Sequence, residues 1–325
     1  MRCIVVGGGM AGLRIAKKLR ATLITDKEEF VFLPRLPDCL SRDESYATRS
    51  IPHSHPDVIL GRVQSIDLEK KHVHLKGAHH TYDYLVLATG ATCILPVSGA
   101  KEYAIPFYSL ADVRKIKQSL PARRIVVVGG GPTGIEVASE LSSFAKVVVL
   151  QGDSEILPLF PAKARKYALS ELARQGVSVH TNELVERITK RTVVTKNDSF
   201  EYDICVWCAG VRTDIPSGVP VHKGILVDEF LRVKGQTHVF AAGDCAQSGA
   251  PLTAQAAVQE ADIVVENIRR MEQQRSLKQS SYRHKGDMLS LGSNALVISP
   301  QGVMLTGKLG SVVRSAYYAW QLRDY

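Results

Sequence analysis

Two glycine-rich turns contain the residues of this sequence with the clearest chemical use. The first turn, residues 7–12, follows a short apolar run at 3–6 and opens a stretch with helical spacing. Its glycines allow a tight turn, a close approach of the backbone to a pyrophosphate and close packing of the helix on the strand, while the helix N-terminus faces the phosphate charge. The next apolar run, 22–25, ends at Asp26, whose carboxylate can accept hydrogen bonds from ribose hydroxyls. These residues predict a dinucleotide site.

A second turn of the same kind lies further along the chain. Residues 124–128 form an apolar run, 129–134 form the glycine-rich turn, and 146–150 form the second strand after a helix that is predicted to continue to about Leu141. Two such units predict two nucleotide sites. The position expected to be acidic in the second unit is Gln151, and an amide hydrogen-bonds a 2'-hydroxyl but neither repels nor attracts a 2'-phosphate. We therefore expect NADH, while this position leaves NADPH open.

Three further segments end an apolar strand in a glycine turn. Two of them, 82–90 and 202–210, are typical of a chain that crosses between domains. The third, 237–246, places Asp244 in a turn just before a helical stretch at 253–271. A carboxylate in such a turn can bind a ribityl hydroxyl or the edge of a pyrophosphate. Because this third segment follows the second glycine turn, the chain order predicts that the second nucleotide unit is inserted into the first.

This order of motifs resembles the FAD-dependent pyridine nucleotide-disulfide oxidoreductases over nearly the whole chain. The resemblance implies an α/β fold with two Rossmann-like dinucleotide-binding domains, the NAD domain inserted into the FAD domain, and a small C-terminal α+β segment. It implies FAD and NAD(P)H as cofactors, with NADH preferred. The expected boundaries are 1–105 and 221–272 for the two parts of the FAD-binding domain, 106–220 for the NAD(P)H-binding domain and 273–325 for the C-terminal domain.

Within this superfamily the chain resembles the type II NADH:quinone oxidoreductases, which are single-subunit respiratory enzymes that do not pump protons. The stretches that carry the likeness are 32–37, 129–136, 206–211 and 254–260. The first resembles the loop that those enzymes place under the flavin, although Arg35 stands where an apolar residue is commoner. The second, GGGPTGIE, puts Glu136 near the nicotinamide and the flavin. The resemblance implies hydride transfer from NADH to FAD and electron transfer to a quinone or another small electron acceptor.

The turns, the crossovers and the family matches together give a set of expected cofactor-binding residues. They are Gly7, Gly9, Met10, Ala11, Gly12, Asp26, Lys27, Val63, Ala88, Thr89, Gly90, Gly129, Gly131, Thr133, Gly134, Gln151, Ala209, Gly210, Gly243, Asp244, Thr253 and Ala254. No metal site is expected. The histidines that could suggest one lie in polar, turn-rich segments without a cysteine or carboxylate at ligand spacing, so we expect surface positions for His53, His55, His79 and His80.

Two glutamines on the last long helix are candidate quinone-site residues. Gln255 and Gln259 are four residues apart and share a helix face, and the residues between them, 256–258, are small and apolar. A flat apolar quinone needs such walls and a few hydrogen-bond donors for its carbonyls. The resemblance points the same way, because 254–260 matches the AQxxxQ signature of the quinone site. The helix begins near Thr253, so its N-terminal amides are expected to face the flavin.

The cysteines argue against dithiol chemistry. Enzymes of this superfamily that reduce disulfides use a reactive pair, and the one pair at close spacing here, Cys205 and Cys208, falls in an expected strand where positions three apart face opposite ways. Core packing is the expected role of these two residues. Cys39 is the one candidate for a lone redox thiol, because it follows the flavin-side loop.

Composition limits the classes of protein to which the chain can belong. Its 325 residues suffice for two or three domains, and no run of about 18 apolar residues occurs that could span a bilayer. The sequence opens on a strand rather than on a secretory signal, and its six cysteines fit free thiols, so a cytoplasmic protein is expected. The net charge of +9 suits dinucleotide phosphates or acidic lipid headgroups. No RNA-binding signature accompanies it, so no nucleic-acid partner is expected.

The C-terminal residues predict strands followed by an amphipathic helix at 309–325. Its apolar side is expected to contain Val312, Val313, Ala316, Tyr317 and Trp320, with Arg314 and Arg323 elsewhere. Aromatic and basic residues suit the headgroup region of a membrane. The sequence favours peripheral contact with the inner face of the cell membrane, and it leaves open a helix packed on the protein or on a second copy in a homodimer.

Two other functions stay open at this point. The first is a soluble reductase of the same fold that passes electrons to a small redox protein, or to a disulfide through Cys39. The second is a redox-sensing flavoprotein with little turnover, which a nicotinamide site weakened by Gln151 would produce.

Overall fold

The computed structural model describes residues 2–55 and 57–325. Eight α-helices lie within these residues and are numbered in chain order: α1 Met10–Leu19, α2 Ile51–Ser54, α3 Ala100–Tyr103, α4 Leu110–Gln118, α5 Pro132–Leu141, α6 Ala162–Arg174, α7 Ala254–Glu272 and α8 Gly307–Gln321. Short 3-10 turns occur at Leu33–Arg35, Pro37–Leu40, Glu44–Tyr46 and Leu322–Asp324. The expected helices that follow the two glycine turns are therefore present as α1 and α5.

The first large sheet is a five-stranded parallel sheet built from segments far apart in the chain. Its strands, in spatial order, are Val239–Ala241, Tyr84–Leu87, Cys3–Val6, Thr22–Thr25 and Val58–Leu60. The central strand is buried on both faces, as its apolar sequence predicts for a parallel sheet covered on two sides. The strand at 239–241 joins this sheet although the second glycine turn precedes it in the chain.

The second large sheet is also parallel and five-stranded. Its strands, in spatial order, are Ile105–Pro106, Ile204–Trp207, Arg124–Val128, Lys146–Leu150 and Ser178–His180. The run of valines in its two central strands has the β-branched side chains that favour this structure. With the first sheet, it confirms the expected α/β fold class with two Rossmann-like units.

Small antiparallel sheets connect and flank the two units. The crossover ribbon pairs Ala91–Cys93 with Val211–Thr213. The others are Glu29–Val31 with Thr48–Ser50; Ser65–Asp67, His72–Leu75 and Ala78–Thr81; Val185–Ile188, Thr192–Thr195 and Ser199–Glu201; and Asp287–Leu291, Asn294–Ile298 and Met304–Leu305. A parallel pair, Ile225–Leu226 and Ala246–Gln247, precedes α7.

The C-terminal helix α8 packs on the sheet formed by residues 287–305. Arg314 lies away from the apolar side, as expected, but the side that it occupies is buried, and Arg314 is only 3% exposed. Val312 and Trp320 are 64% and 59% exposed instead. The helical wheel could not foresee this, because the charge of Arg314 is neutralised by Asp38, a residue remote in sequence. The outward face of α8 is therefore the apolar one.

The histidines also differ in part from expectation. His55 was expected at the surface, but it is buried, and its Nε2 lies 2.7 Å from the carbonyl oxygen of Ala21. His79 is exposed and His80 is half-exposed. The side chain of His53 lies outside the described part of the structure. In the described residues, no three His, Cys, Asp or Glu side chains are arranged to hold a metal ion.

Candidate nucleotide and electron-transfer site

The first glycine turn forms an open cradle at the N-terminus of α1. Gly7 has a φ of +109°, and a Cβ there would collide with the carbonyl of Ala88. A Cβ on Gly12 would collide with the carbonyl of Gly7, so the helix can pack this closely on the strand only with glycine at that position. Gly9 begins the helix without a side-chain cap, and the space around it is open. The first amides of α1 are thus free to bind an anion.

The second turn repeats this geometry in the other unit. Gly129 also has a φ of +109° and abuts the backbone of Cys208, and Gly134 abuts the carbonyl of Gly129. Gly131 starts α5 without a side-chain cap, again beside open space, and Pro132 occupies the first helical position, where no amide hydrogen is needed. The chain therefore contains two equivalent anion cradles.

The acidic residue after the first turn is available to a ligand. Asp26 is exposed and forms an ion pair of 3.2 Å with Arg62, which also pairs with Asp214 at 2.7 Å. Lys27 has an exposed side chain beside it. Val63 behaves differently, because its side chain is buried in the core of the first sheet. Only the backbone of Val63 can contact a cofactor.

The two crossovers lie against the two turns. Ala88 touches the first turn, and Ala209 lies beside Gly129 in the second. Gly90 and Gly210 both have positive φ, of +72° and +86°, as the chain turns into the ribbon that pairs 91–93 with 211–213. The Thr89 hydroxyl is buried and has no hydrogen-bond partner among the described residues. A buried polar atom of this kind requires a partner, and a bound cofactor would supply one.

The Gly243–Asp244 turn completes the first cradle. Gly243 has a φ of +75° and fits between Ala11 in α1 and Ala257 in α7, each of which would lie 3.4 Å from a Cβ there. Burial raises the pKa of Asp244. Sequence reasoning missed Glu260, a buried residue whose Oε2 accepts a hydrogen bond of 2.6 Å from the Gly243 amide. Glu260 holds the turn in place from α7.

The start of α7 only partly matches the expectation of free amides. The Thr253 side chain caps the helix by accepting a hydrogen bond of 3.3 Å from the Ala256 amide. One N-terminal amide of α7 is therefore used internally. Ala254 is half-buried and packs against the core that contains Met10.

The two glutamines hold a segment of backbone, which the sequence did not predict. The Gln259 amide donates to the Arg283 carbonyl at 2.9 Å, and its oxygen accepts from the Arg283 amide at 3.0 Å. Gln255 makes the equivalent pair with the Lys285 amide (2.9 Å) and the Gly286 carbonyl (3.1 Å). Each side chain keeps one amide hydrogen that these contacts do not use. The two glutamines are therefore fixed side by side by the segment 283–286.

Gln151 also has an unexpected arrangement. Its Oε1 accepts a hydrogen bond of 2.7 Å from the Gly130 amide in the second turn, and its Nε2 donates at 2.9 Å to Asp153. An exposed carboxylate therefore lies two residues after position 151 and is joined to it by a hydrogen bond. The motif spacing did not indicate Asp153, because the acidic residue was expected at position 151 itself.

Glu136 belongs to a buried polar cluster where four elements meet. It is 8% exposed on α5, and its Oε1 accepts a hydrogen bond of 2.8 Å from the Ser290 amide. Arg314 of α8 lies 3.8 Å away and forms two hydrogen bonds with Asp38, of 3.0 and 2.8 Å. Asp38 follows the loop that was expected under the flavin. Burial raises the pKa of Glu136 to about 7, although Arg314 partly opposes this rise. This side chain can therefore gain or lose a proton near neutral pH.

The cysteines lack the features of reactive thiols. Cys39 is fully buried, and burial raises the pKa of its thiol to about 11, so little thiolate exists at neutral pH. Cys205 and Cys208 pack into different cores on opposite faces of the second sheet, as expected. All six cysteines are free. A disulfide reaction through Cys39 is disfavoured.

The comparisons with known proteins agree with this architecture. Residues 1–261 match the model of the pyridine nucleotide-disulphide oxidoreductases, a class defined by the paired nucleotide-binding units described above. The chain belongs to this family of oxidoreductases.

Individual relatives resemble the chain over almost its full length. Demethylphylloquinone reductase NdbB of Synechocystis is 28% identical over 98% of this chain and 92% of its own. The alternative NAD(P)H-ubiquinone oxidoreductase C1 of Arabidopsis thaliana is 28% identical over 99% of this chain and 78% of its own. The structure of NDH2 from Plasmodium falciparum in complex with NADH has a TM-score of 0.87 at 19% identity, covering 98% of this chain and 94% of that one. These matches confirm the resemblance recognised in the sequence, and the structural match confirms the fold.

Proposed function

We propose that the protein is an FAD-dependent oxidoreductase that accepts hydride from NADH and passes two electrons to a quinone. The observation that carries the proposal is the pair of uncapped helix N-termini, at Gly9 and Gly131, each facing open space beside a glycine turn. A single chain with two such cradles suits two dinucleotides. The relatives of the chain, which include a demethylphylloquinone reductase and an NAD(P)H-ubiquinone oxidoreductase, support the quinone as acceptor.

The residues of the first cradle fit FAD. The uncapped α1 amides would bind the pyrophosphate, Asp26 would accept ribose hydroxyls, and Asp244 would contact the ribityl chain. The buried Thr89 hydroxyl would gain the partner that it lacks. Bound FAD supplies the chemistry that the side chains cannot, because it accepts a hydride and gives up electrons to an acceptor.

The second cradle would bind NADH. The α5 amides would face its pyrophosphate, and the hydrogen-bonded Gln151–Asp153 pair would contact the adenine ribose. The Asp153 carboxylate favours a ribose with a free 2'-hydroxyl over one with a 2'-phosphate, because like charges repel. The protein's contribution to rate is then to orient the nicotinamide, since hydride transfer needs no protein nucleophile.

Glu136 is proposed as the residue that holds a proton for the acceptor. Its carboxyl is buried, fixed by the Ser290 amide and able to change protonation near neutral pH. These are the properties of a general acid–base group. Gln255 and Gln259 would form part of the acceptor site, each with one unused amide hydrogen and held in register by the segment 283–286.

The outward face of α8 is proposed to contact a membrane. Leu309, Val312 and Trp320 are each at least 59% exposed and recur at helical spacing, and Ala316 lies between them. Such a face is suited to the interface of a bilayer, where a quinone is dissolved. No helix in the described residues is long and apolar enough to cross a membrane. Free thiols fit a reducing compartment, so we propose the inner face of the cell membrane as the location.

We also retain the domain boundaries as a proposal: 1–105 with 221–272 for FAD, 106–220 for NADH and 273–325 for the C-terminal domain. The first large sheet draws its strands from both proposed FAD segments, and four of the five strands of the second sheet lie within 106–220. A homodimer that covers α8 is the alternative to membrane contact.

Anaerobic mixing tests this function. Purified protein with bound FAD should lose its flavin absorbance when NADH is added and recover it when a short-chain quinone follows. Recovery with a ferredoxin but not with a quinone would contradict the choice of acceptor. No loss with NADH would contradict the choice of donor.

A further inference from the structure

A basic cavity beside α8 has no role in the function proposed so far. It has a volume of about 530 Å³ and lies on the loop between the flavin-side segment and α2. Its walls are formed by Arg35, Arg42, Asp43, Ser45, Tyr46 and Arg49. Three guanidinium groups and one carboxylate therefore face the same space.

The three arginines of the cavity lack carboxylate partners. The acidic side chains closest to them in the chain are already paired, Asp38 with Arg314 at 2.8 Å and Glu44 with Arg114 at 2.5 Å. Asp43 caps a 3-10 turn by accepting the Ser45 amide. Within the described residues, no ion pair joins Arg35, Arg42 or Arg49 to a carboxylate. Three arginines and the Asp43 carboxylate line the cavity, so it keeps a net positive charge.

Arg35 is fixed and buried in this cavity. It is only 5% exposed, and it donates hydrogen bonds to the carbonyls of Tyr46 at 3.2 Å and Ser315 at 3.0 Å. Its Nε is buried without a hydrogen-bond partner in the described residues. Burial lowers the pKa of Arg35; Tyr46 and Asp38 oppose this effect, while the charges of Arg314 and Arg49 add to it. A bound anion would favour the charged form of this buried guanidinium.

The shape and contacts of the cavity favour a phosphate group. Arginine forks match phosphate oxygens, and guanidinium groups are weakly hydrated, so they bind phosphate well in a partly buried site. Arg35 and Arg42 already lie 4.1 and 4.8 Å from the centre of the Tyr46 ring. The Tyr46 ring therefore already contacts two guanidinium groups.

The position of the cavity indicates where the phosphate comes from. Arg35 bonds the carbonyl of Ser315 in α8, and the next residue, Ala316, belongs to the exposed apolar face of that helix. Basic groups next to an apolar helix face suit a bilayer that contains acidic lipids. We propose that the cavity binds the phosphate of an acidic lipid headgroup while the outward face of α8 contacts the lipid interface. This inference rests on the proposed membrane contact and deepens it.

Vesicle binding tests the proposal with the full-length, FAD-loaded protein. The wild type should bind vesicles of phosphatidylcholine with phosphatidylglycerol more tightly than vesicles of phosphatidylcholine alone. The double variant Arg42→Gln/Arg49→Gln, at two exposed positions, should weaken binding to the acidic vesicles about thirtyfold, from about 1 kcal/mol for each basic residue at the membrane surface. Both variant side chains are exposed, so folding should be preserved.

A matched control separates the cavity from net charge. Arg187→Gln/Arg191→Gln removes the same charge from exposed positions on the sheet at 185–201. This control should retain most of the binding, because screened charges act only within about 10 Å. Equal losses in the two double variants would overturn the proposal.

Inorganic phosphate distinguishes the source of the ligand. Saturable binding of inorganic phosphate that depends on Arg42 and Arg49, with no preference for acidic vesicles, would assign the cavity to a soluble phosphate and overturn the lipid proposal. A wild type that binds neither vesicle would overturn both the cavity proposal and the membrane contact. NADH oxidation with a water-soluble quinone needs no membrane, so it reports on the proposed enzyme activity separately.

Discussion

Replacement of Arg314 by Met tests the most unexpected contact in the structure, the buried ion pair that docks α8. The guanidinium makes two hydrogen bonds with Asp38 and one of 3.0 Å with the Pro34 carbonyl, and it lies 3.8 Å from Glu136. Both ends of the pair are only 4% exposed at their side chains. Loss of one partner leaves the other charge buried and uncompensated, which costs about 3–5 kcal/mol. We expect a loss of this size in the free energy of unfolding.

The pH dependence of this loss gives a sharper test. Arg314 lowers the pKa of the buried Glu136, which is already raised to about 7, so removal of Arg314 should raise this pKa further. The folded variant then keeps a proton that the folded wild type releases near pH 7, so the variant loses more stability than the wild type as the pH rises above about 7. Urea denaturation should therefore give a larger difference between variant and wild type at pH 8 than at pH 5.

Two further variants complete the design. Arg323→Met, at an exposed position just after α8, should change the free energy of unfolding by no more than about 0.5 kcal/mol. The double variant Asp38→Asn/Arg314→Met should be less destabilised than Arg314→Met alone, because the uncompensated charge is gone. A loss in the free energy of unfolding for Arg314→Met no larger than that for Arg323→Met, or a loss independent of pH, would contradict the proposed role of the buried pair.

Three further predictions concern the proposed reaction. Glu136→Gln should slow quinone reduction by about 10²-fold or more and remove an inflection near pH 7 from its pH profile, since the group with a pKa of about 7 is lost. An inflection that persists in the variant would show that another group titrates there. Asp153→Ala should improve the binding of NADP⁺ relative to NAD⁺ by about fivefold or more, from about 1 kcal/mol of charge repulsion, as measured by calorimetry. An unchanged ratio of the two affinities would show that Asp153 does not determine the selectivity. Gln259→Leu should slow quinone turnover, spare flavin reduction by NADH and increase hydrogen exchange at Arg283, whose amide loses its acceptor; equal loss in both half-reactions would refute its role.

The sequence predicted the nucleotide cradles well because local physics determines them. Gly12 and Gly134 are required by contacts within their own strand–turn–helix units, and Gly7 and Gly129 adopt the positive φ that each turn needs, so the glycine spacing alone indicates the structure. The same is true of the helix that starts after Thr253. These features need no knowledge of distant segments.

Two of the contacts that the sequence missed join segments that are separated in the chain. Arg314 pairs with Asp38, and Glu260 accepts a hydrogen bond from the Gly243 amide. The hydrophobic period of a single helix cannot indicate either contact. The amphipathic pattern of α8 placed Arg314 off the apolar side but did not indicate its burial, because charged side chains usually face solvent. That rule fails when a partner elsewhere in the chain neutralises the charge. Asp153 was missed for another reason, because Gln151 holds it at a position that simple motif spacing does not include.

We propose that two glycine cradles in one chain hold two dinucleotides for direct hydride transfer. The most direct test is stopped-flow absorbance of the FAD-loaded protein after anaerobic mixing with NADH. We expect saturable loss of the flavin band, and strong impairment of this step in Gly131→Val, whose side chain would fill the open space at the start of α5. A flavin that stays oxidised in the wild type, or a Gly131→Val variant as fast as the wild type, would contradict it.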